Sequence, residues 1–478
     1  MTLFTLLKAL DTLQTNAPSL DSEVGGVHND TRRMKAGDLF VAIAGNDTDG
    51  HCYIQDAIQK GASMIVSESP LDPSVPHVVV PNGRAALAQL AACMAGYPAK
   101  KLKIIGVTGT KGKTSVTHII KGLLERVSGE KAGLIGTAGN FAGAEELLLP
   151  RTAPTTPDAV TLHGLFSEMA ARGCAYCVME VSSIALDQHR VEGVRFAAGA
   201  FLNLQHDHLD YHDGMESYFA AKSRLFSQCD RCIVNIDDPY GKRLADSLPD
   251  ALTCSAGGAA DFTAQDIELL PGGVSFTATS SGEAFQTSWN TPGLFSARNA
   301  LTALACARAL GYPLGELCRV LPDVPPVIGR METVPAKRGV TVVIDYAHTP
   351  ESITSALTAA RGFTAGKLTA VFGCGGDRDK TKRPLMGAAA QKAADRCIVT
   401  SDNPRTEDPG GIIRDILAGM EPGVRAITDR REAIRVALAE AGEGDTVMLL
   451  GKGQETYQEI NGVKHPMDER EIVRELML

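Results

Sequence analysis

Short apolar runs rich in β-branched residues alternate with helical stretches through most of this chain. Residues 103–108 (KIIGVT) form one such run. The helical stretch after it carries apolar residues at spacings of three and four, namely Val116, Ile119, Ile120, Leu123 and Leu124. Strands that are separated by helices pair in parallel, and the helices cover the faces of the sheet. The alternation therefore predicts an α/β fold built on parallel sheets.

Charge and hydropathy exclude several classes of protein. The chain has 47 Lys and Arg against 56 Asp and Glu, a net charge of −9, which argues against a nucleic-acid or anionic-membrane partner. No segment approaches the length of apolar sequence that spans a bilayer. The first residues have leucines at helical spacing that are interrupted by Lys8 and Asp11, which indicates an amphipathic helix rather than a signal peptide. We expect a cytoplasmic protein that binds small molecules and acts as a monomer.

The cysteines allow two interpretations. Cys174 and Cys177 form one C-x-x-C pair, and Cys229 and Cys232 form another, which is a spacing found in zinc sites. Each pair also leads into an apolar run, CVMEV or CIVNI, and neither has a glycine-rich knuckle. We favour strand entries and reduced thiols over a structural zinc.

A glycine-rich loop joins the strand at 103–108 to the helix after it. Its sequence, GVTGTKGKTS, can wrap backbone N–H groups around phosphate oxygens at a helix N-terminus. Lys113 would neutralise β- and γ-phosphate charge, and the Thr114 hydroxyl would hold Mg²⁺. A chance glycine-rich turn is the alternative. The predicted ATP-binding residues of the loop are Gly109, Thr110, Lys111, Gly112, Lys113, Thr114 and Ser115.

Two interruptions divide the alternation into three parts. One falls at Tyr97-Pro98, and the other is the proline cluster that precedes Gly329. Three domains also suit 478 residues, at about 100–200 residues per domain. We predict a smaller N-terminal α/β domain at 1–98, a central P-loop-type parallel-sheet ATPase domain at 99–328, and a C-terminal Rossmann-like domain at 329–478.

Acidic residues and histidines follow strands of the central part. Glu180 lies near the end of the apolar run CVMEV, at the strand end where open α/β sheets bind ligands. Residues 206–213 hold three His and three Asp. Because Mg²⁺ takes only one or two protein groups together with water and phosphate, most of this cluster must serve another purpose. A polar surface loop is the alternative.

Two charged loops follow strands of the C-terminal part. Residues 373–380 (GCGGDRDK) do not fit the dinucleotide pattern G-x-G-x-x-G because Arg378 occupies the third glycine position. We interpret them as a site for a charged ligand, with a solvated turn as the alternative. Residues 402–405 (DNPR) place Arg405 where its planar guanidinium can bind a carboxylate through two hydrogen bonds. A capped turn with a surface arginine is the alternative.

Taken together, these motifs resemble those of the Mur ligase family. The resemblance rests on T-G-T-x-G-K-T, E-V-S-S, N-L-x-x-D-H-L-D-Y-H, D-N-P-R, G-K-G-x-E and the N-terminal D-T-R, and it spans the whole chain. It implies an ATP- and Mg²⁺-dependent ligase of bacterial peptidoglycan synthesis. D-N-P-R is typical of members that add meso-diaminopimelate to UDP-N-acetylmuramoyl-L-alanyl-D-glutamate through an acyl phosphate. Lysine-adding, D-alanyl-D-alanine-adding and folylpolyglutamate-type ligases remain alternatives, as does a nucleotide-gated switch that ligates nothing.

The resemblance also implies roles for individual residues. Glu180 and His208 would bind Mg²⁺, and Lys222 would be carbamylated by CO₂ and would help to hold a second ion. Further ATP contacts would come from Asn299, Arg330 and Asp345. The nucleotide-sugar peptide would bind Thr31, Asn46, Asp47, Thr48, Thr155, Thr156, Ser182, Gln188 and Arg190. Diaminopimelate would bind Arg378, Asp402, Asn403, Pro404, Arg405, Gly451 and Glu455. The chain departs from the family pattern at Ser296, Ile328 and Gln454, where the family has asparagine, proline and histidine.

Overall fold

A computed structural model of the chain describes residues 1–10, 15–17, 19–45, 48–148 and 154–477. These residues form two compact units, one of residues 1–255 and 302–313, the other of residues 256–301 and 314–478. Among the described residues, no helix has the length and hydropathy needed to cross a membrane.

The first unit begins with a four-stranded parallel sheet in the order β1-β2-β3-β4. Leu3, Leu6 and Leu7 of the first helix are fully buried in its core, as the leucine spacing predicted. The elements are α1 (Leu3–Ala9), β1 (Val27–His28), β2 (Leu39–Val41), α2 (Ile54–Gln59), β3 (Met64–Ser67), β4 (His77–Val79) and α3 (Gly83–Met94).

The central sheet of the first unit has the order β12-β11-β10-β5-β9-β6-β7-β8. The strands from β12 to β6 pair in parallel, and β7 and β8 add an antiparallel edge. Its elements are β5 (Lys103–Thr108), α4 (Lys113–Ser128), β6 (Lys131–Gly136), β7 (Gly139–Ala142), β8 (Glu145–Glu146), α5 (Ala159–Ala171), β9 (Cys174–Glu180), α6 (Ser183–Asp187), β10 (Ala198–Phe201), α7 (Met215–Ser223), β11 (Cys232–Asn235), α8 (Pro239–Ser247) and β12 (Leu252–Ser255). The five apolar residues predicted to form one face of α4 are all fully buried.

The cysteine pairs lie where the strand interpretation placed them. Cys174 and Cys177 are in β9, and Cys232 begins β11. All eleven cysteines are free thiols.

A buried histidine on α5 makes the first unit sensitive to acid. His163 is 2% exposed, neither ring nitrogen has a hydrogen-bond partner, and burial lowers its pKa to about 4. In the unfolded chain the His163 imidazole takes up a proton near pH 6.5, whereas in the folded protein it stays neutral down to about pH 4. The folded state therefore has its full stability above about pH 6.5 and loses stability as the pH falls towards about 4. The loss reaches about 2.5 kcal/mol at about pH 4.5.

We therefore expect His163→Leu to lose less stability in acid than the wild type. Between about pH 7 and about pH 4.5, the free energy of unfolding measured in urea should fall by about 2.5 kcal/mol less for His163→Leu than for the wild type. His465→Gln, a change at an exposed histidine, is the control and should behave as the wild type does. Parallel curves for His163→Leu and the wild type would refute this account.

The second unit begins with an antiparallel meander, which corrects our expectation of continued strand–helix alternation up to residue 325. β13 (Phe262–Leu270), β14 (Gly273–Ser280) and β15 (Glu283–Trp289) pair in antiparallel order. Val274, Phe276 and Ala278 are buried at a spacing of two, the period of a strand with one covered face. Two glycine-containing turns, at 271–273 and 280–283, are short enough to require neighbouring antiparallel strands. α9 (Leu294–Ala309) and α10 (Leu314–Val320) follow.

The C-terminal sheet has the order β16-β17-β21-β18-β19-β20, and all of its pairs are parallel except β16 with β17. Its elements are β16 (Glu332–Val334), β17 (Thr341–Asp345), α11 (Pro350–Arg361), β18 (Leu368–Phe372), α12 (Lys382–Ala393), β19 (Arg396–Val399), α13 (Pro409–Leu417), β20 (Arg425–Ala426), α14 (Arg430–Glu440), β21 (Thr446–Leu450) and α15 (Glu469–Met477). A hairpin of β22 (Tyr457–Ile460) and β23 (Val463–Pro466) lies between β21 and α15 in the sequence. The predicted α/β class with parallel sheets is confirmed, while the boundaries at 98 and 328 stay predictions.

Candidate active site

In the first unit, three adjacent strands of the central sheet end together. β5 lies between β10 and β9, and their carboxyl ends lead into the glycine-rich loop, the segment from Leu202, and the E-V-S-S turn. Because helices and loops after parallel strands share one edge of the sheet, this edge collects the polar residues that the sequence singled out. α4 begins at Lys113 after Gly112, whose φ of 90° suits glycine.

Asn203 fastens the glycine-rich loop to this edge. Its side-chain oxygen accepts the Lys111 N–H at 2.9 Å, and its amide nitrogen donates to the Lys111 carbonyl at 3.0 Å. Its backbone carbonyl accepts the Thr110 N–H at 3.0 Å. No role was predicted for Asn203, although it is the first residue of the N-L-x-x-D-H motif. These bonds fix the loop conformation before any phosphate binds.

Glu180 is a buried carboxylate surrounded by threonines. It is 1% exposed and accepts hydrogen bonds at 2.9 Å from the Thr114 hydroxyl and from the Thr137 N–H. The Thr137 hydroxyl donates to its other oxygen at 3.2 Å. A Cβ on Gly136 would lie 2.4 Å from Glu180 Oε1, so a glycine is needed there. Thr137 is a contact that the sequence analysis missed.

The surroundings of Glu180 fit a hard divalent cation. No Lys, Arg or His side chain of the described chain forms an ion pair with this carboxylate, and a buried charge is costly without a partner. The oxygens of Glu180 and Thr114 are of the type that Mg²⁺ prefers. Within the described ranges, no three His, Cys, Asp or Glu side chains are grouped to hold a metal. An ion held by Glu180 and Thr114 would take its remaining ligands from phosphate and water.

Lys222 is a buried amine beside the loop. It is 1% exposed, and its Nζ donates to the Gly109 carbonyl at 3.0 Å. Lys113 Nζ donates to the same carbonyl at 2.9 Å. Burial, and then repulsion by Lys113, lower the pKa of Lys222 well below its usual range. The surroundings therefore favour an uncharged amine at Lys222.

Tyr218 connects the loop, Lys222 and the histidine cluster. The side chain is fully buried, its hydroxyl is 3.1 Å from Thr110 Oγ1, and Lys222 Nζ lies 4.6 Å from its ring centre. The His208 ring packs edge-on against it. His208 itself is about half exposed, and no hydrogen bond joins it to Thr114 or Glu180. The structure thus brings Glu180 and Thr114 into contact and leaves His208 one aromatic ring away from the loop.

Five of the residues predicted to bind the nucleotide-sugar peptide form one cluster: Thr155, Thr156, Ser182, Gln188 and Arg190. Thr156 Oγ1 donates to the Glu180 carbonyl at 2.9 Å and accepts the Ser182 N–H at 3.0 Å. Arg190 donates to the Thr156 carbonyl at 2.7 Å and to Gln188 Oε1 at 2.7 Å.

A second contact ties the same cluster to Glu180. Thr155 Oγ1 lies 3.1 Å from Thr137 Oγ1. Thr156 thus bonds the Glu180 main chain directly, and the other four predicted residues are joined to Glu180 through Thr156 or Thr137.

The residues predicted to bind uridine diphosphate are less clearly grouped. Thr31 is 7% exposed, and its hydroxyl hydrogen bond lowers the pKa of the Asp56 carboxyl. Thr48 is exposed, and its carbonyl accepts the Gly45 N–H at 3.0 Å. Asn46 and Asp47 lie outside the described residues.

In the second unit, the three residues predicted near ATP occupy separate settings. Asn299 is buried on α9. The Arg330 guanidinium lies 5.0 Å from the Tyr346 ring centre. Asp345, at the end of β17, accepts the N–H groups of Met331 and Ala347 at 2.8 and 2.9 Å. Burial raises the pKa of the Asp345 carboxyl and the charge of Arg330 opposes that rise, so Arg330 and Asp345 interact electrostatically.

The D-N-P-R loop follows β19 and is held by its neighbours. Gly376 N–H donates to the Asn403 carbonyl at 2.9 Å, and Arg405 Nη1 donates to the Gly376 carbonyl at 2.5 Å. Arg405 has a φ of 52°, in the left-handed region, and its N–H and carbonyl are both bonded to the 459–461 segment. The guanidinium is therefore fixed in place and about a quarter exposed.

Lys452 links the D-N-P-R loop to the G-K-G-x-E turn. It is fully buried and donates to Asn403 Oδ1 at 2.9 Å and to Glu455 Oε2 at 3.0 Å. Asn403 Nδ2 donates to the same Glu455 oxygen at 2.8 Å. A Cβ on Gly451 would lie 2.6 Å from Asp402 Oδ2. Asp402 and Gly451 therefore lie close together, as Asn403 and Glu455 do. Sequence reasoning missed Lys452, although it lies between two predicted residues.

A buried arginine ties the 373–380 loop to the D-N-P-R loop. Arg383 is 1% exposed and pairs with Glu407 at 2.8 Å, and Glu407 in turn accepts the Asp377 N–H at 2.6 Å. The hydrogen bonds from Arg383 lower the pKa of Glu407 to about 2. Arg378 is exposed, with no hydrogen bond or ion pair to any described residue, so its guanidinium is available to a ligand.

Family models cover most of the chain. Residues 23–94 match the Mur ligase family catalytic domain, residues 107–307 match the Mur ligase middle domain, and residues 329–453 match the Mur ligase glutamate ligase domain.

Full-length relatives and solved structures agree with these matches. The UDP-N-acetylmuramoyl-L-alanyl-D-glutamate–2,6-diaminopimelate ligase of Caldanaerobacter subterraneus is 43% identical over 100% of this chain and 99% of its own. A solved structure of an enzyme of that name has a TM-score of 0.76 and 32% identity, covering 100% of this chain and 99% of its own. The MurF ligase of Thermotoga maritima in complex with ADP has a TM-score of 0.56 at 20% identity, covering 94% of this chain and 96% of its own, and shares the fold.

Proposed function

The chain belongs to the Mur ligase family of ATP-dependent amide ligases, and on that basis we propose that it adds meso-diaminopimelate to UDP-N-acetylmuramoyl-L-alanyl-D-glutamate. The choice of amino acid is supported above all by Arg405, whose guanidinium is fixed at the end of β19 beside Asn403. Relatives named for 2,6-diaminopimelate support the same choice. The substrates are then small anionic molecules in a bacterial cytoplasm, no nucleic acid is involved, and the ligase works as a monomer.

The reaction needs ATP because a carboxylate is a poor electrophile. We propose that the γ-phosphoryl group passes to the carboxylate of the D-glutamate unit, that the amine of diaminopimelate attacks the acyl phosphate, and that phosphate leaves. Lys113 and the N-terminus of α4 offset charge on the transferring group. Mg²⁺, when bound by Glu180 and Thr114, neutralises further phosphate charge.

Lys222 is proposed to carry a carbamate. Its uncharged amine would attack CO₂, form the N–C bond and release a proton, which leaves an anionic carbamate on the side chain. Two observations support this: Lys222 is fully enclosed, and its Nζ shares the Gly109 carbonyl with Lys113. Burial and the Lys113 charge lower the pKa of Lys222, which enlarges the reactive fraction near neutral pH. His208 would reach a metal ion only after a local rearrangement, since it contacts the loop through Tyr218.

The peptide end of the UDP substrate is proposed to bind the Thr155–Arg190 cluster around Glu180. This arrangement would place the D-glutamate carboxylate near the glycine-rich loop, because Thr156 bonds the Glu180 carbonyl. Thr31, Asn46, Asp47 and Thr48 are proposed to hold the uridine diphosphate end, and Asn299, Arg330 and Asp345 to approach ATP. Diaminopimelate is proposed to contact Arg378, Asp402, Asn403, Pro404, Arg405, Gly451 and Glu455.

A panel of amino acids tests the proposed function directly. Purified protein with ATP, Mg²⁺ and UDP-N-acetylmuramoyl-L-alanyl-D-glutamate should release phosphate in step with added meso-diaminopimelate, and mass spectrometry should find the ligated tripeptide product. L-Lysine should give kcat/KM at least about a hundredfold lower, because it has no distal carboxylate for Arg405. Phosphate release that does not depend on any amino acid would contradict ligation, and equal use of lysine would contradict the assigned amino acid.

A further inference from the structure

Tyr211 belongs to the N-L-x-x-D-H-L-D-Y-H motif but is not among the residues proposed to contact a substrate. Its ring packs edge-on against the His212 ring, with the ring centres 4.9 Å apart. Its hydroxyl lies 2.8 Å from Asp187 Oδ2 and 3.3 Å from Gln188 Nε2. Asp187 ends α6, and Gln188 belongs to the Thr155–Arg190 cluster. The Tyr211 hydroxyl therefore connects the end of this helix with the candidate site.

The hydrogen bonds around Tyr211 run in only one direction. A carboxylate accepts hydrogen bonds and cannot donate them, so the Tyr211 hydroxyl gives its hydrogen to Asp187. The Tyr211 oxygen then has only lone pairs to offer, and it accepts a hydrogen from the Gln188 amide nitrogen. Burial, and then the hydrogen bond to Asp187, raise the pKa of Tyr211, so the hydroxyl keeps its hydrogen near neutral pH. The amide nitrogen of Gln188 is therefore held towards Tyr211.

Arg190 stands at the other end of these hydrogen bonds. Arginine only donates, and the Gln188 oxygen accepts from Arg190 Nη2 at 2.7 Å and from Nε at 3.2 Å. Arg190 Nη1 donates to the Thr156 carbonyl at 2.7 Å. These bonds use three of the five guanidinium N–H groups, and the described residues hold no acceptor for the other two. Hydrogen bonds thus run in one direction from the Arg190 guanidinium to the Asp187 carboxylate.

Both ends of this chain of hydrogen bonds are fixed to the protein. Arg224 Nη1 donates to Asp187 Oδ1 at 3.1 Å, so the carboxylate is held by both of its oxygens. The Arg190 N–H donates to the Ala185 carbonyl at 2.8 Å, which holds the turn after α6. Hydrogen bonds in a chain polarise one another, so the fixed charges at the two ends favour a single orientation of the Gln188 amide.

The Tyr211 hydroxyl decides how firmly Gln188 is held. The Gln188 amide nitrogen carries a second hydrogen, for which the described part of the chain offers no acceptor, so this hydrogen is free for a ligand. Without the hydroxyl, the nitrogen would lose its bond to Tyr211, and the side chain would be held through its oxygen alone. A side chain held at one end has rotamer freedom that it must give up when a ligand binds.

We propose that Tyr211 is a positioning residue for the UDP-linked dipeptide, because its hydroxyl orients the Gln188 amide, and through it the Arg190 guanidinium, before this substrate binds. The inference rests on the proposed function, since it takes Gln188 and Arg190 to bind the peptide end of UDP-N-acetylmuramoyl-L-alanyl-D-glutamate. Tyr211 itself does not touch the substrate in this arrangement.

The test is the affinity of Tyr211→Phe for the UDP-linked dipeptide, because phenylalanine keeps the ring and removes only the hydroxyl. Isothermal titration calorimetry should give a Kd for UDP-N-acetylmuramoyl-L-alanyl-D-glutamate that is about five- to tenfold above that of the wild type. The Kd for ADP should stay within about twofold. In turnover, the KM for the UDP-linked dipeptide should rise by the same factor while kcat stays within about twofold. Tyr97→Phe, at an exposed tyrosine, is the matched control and should keep the wild-type values.

A double-mutant cycle shows whether Tyr211 acts through Gln188. Gln188→Ala should raise the same Kd, and Tyr211→Phe added to it should raise the Kd no further, because the amide that the hydroxyl orients is gone. Increases in Kd that multiply would mean that the two residues act independently and would refute the proposal. An unchanged Kd in Tyr211→Phe, or an equal increase for ADP, would refute it too. If Gln188→Ala does not fold, the cycle is measured with Gln188→Met.

Binding and turnover together separate this inference from the proposed function. A wild type that binds the UDP-linked dipeptide but ligates no amino acid would refute the proposed function, and the Kd values would still decide the role of Tyr211. A wild type that ligates meso-diaminopimelate while Tyr211→Phe keeps the wild-type Kd would refute the role of Tyr211 alone. A wild type that does not bind the UDP-linked dipeptide would refute both.

Discussion

Arg405→Ala should lower kcat/KM for meso-diaminopimelate by about 10²–10³-fold, chiefly by raising its KM. The guanidinium is the cation that the structure fixes at the end of β19, and its loss would leave a ligand carboxylate without a charge-assisted partner. The KM for ATP should stay within about twofold, since none of the described residues that are proposed to contact ATP is hydrogen-bonded to Arg405. Phosphate-release kinetics with each substrate varied in turn provide the measurement.

Arg405→Ala should also reduce the ratio of kcat/KM for meso-diaminopimelate to kcat/KM for L-lysine. Without Arg405, the distal ammonium of lysine is no longer repelled, so the ratio of kcat/KM values should shrink mainly through the loss with diaminopimelate. Arg414→Ala is the matched control, because Arg414 is an exposed arginine of the neighbouring helix α13. A KM for ATP that rises together with the KM for diaminopimelate would mean that the substitution disturbs more than the amino-acid site.

The fold could be predicted wherever the hydrophobic period was strong. β5 and α4 were placed correctly because a buried parallel strand and a one-faced helix have distinct spacings. The meander β13–β15 was missed, although its alternating buried residues were present in the sequence. A burial period of two shows that one face of a strand is covered, but it does not show whether the neighbouring strands are parallel or antiparallel. Their antiparallel pairing depends on turn geometry, which the hydrophobic period does not reveal.

The candidate site was predictable where chemistry follows a strand end. Glu180 and Thr156 come from motifs 24 residues apart and are joined by a hydrogen bond, as the shared sheet edge implies. Asn203, Thr137 and Lys452 were not predicted because they form hydrogen bonds with other residues of the protein rather than belonging to a ligand-binding motif. A single sequence does not show which lysine or threonine is buried. Lys222 shows the same limit, since a lysine on a helix is ordinarily exposed, and only the resemblance singled it out.

Lys222→Met should reduce kcat by about a thousandfold while the protein stays folded. The proposed carbamate would add a negative charge next to the glycine-rich loop, and methionine fills a similar volume with no charge to replace it. Lys242→Met, at an exposed lysine of α8, is the control for loss of a lysine as such and should keep full activity.

The carbamate itself should make wild-type activity depend on CO₂. After equilibration in CO₂-free buffer, kcat should fall towards that of Lys222→Met, and it should return when bicarbonate is added. The carbamylated fraction should rise as the pH rises, because the amine must lose its proton before it reacts with CO₂. Protein labelled with ¹³C-bicarbonate should show a carbamate carbon signal that Lys222→Met lacks and Lys242→Met keeps. Full activity in CO₂-free buffer, together with no such signal, would leave Lys222 as an unmodified amine. Its hydrogen bond to the Gly109 carbonyl would then be its whole contribution to the loop.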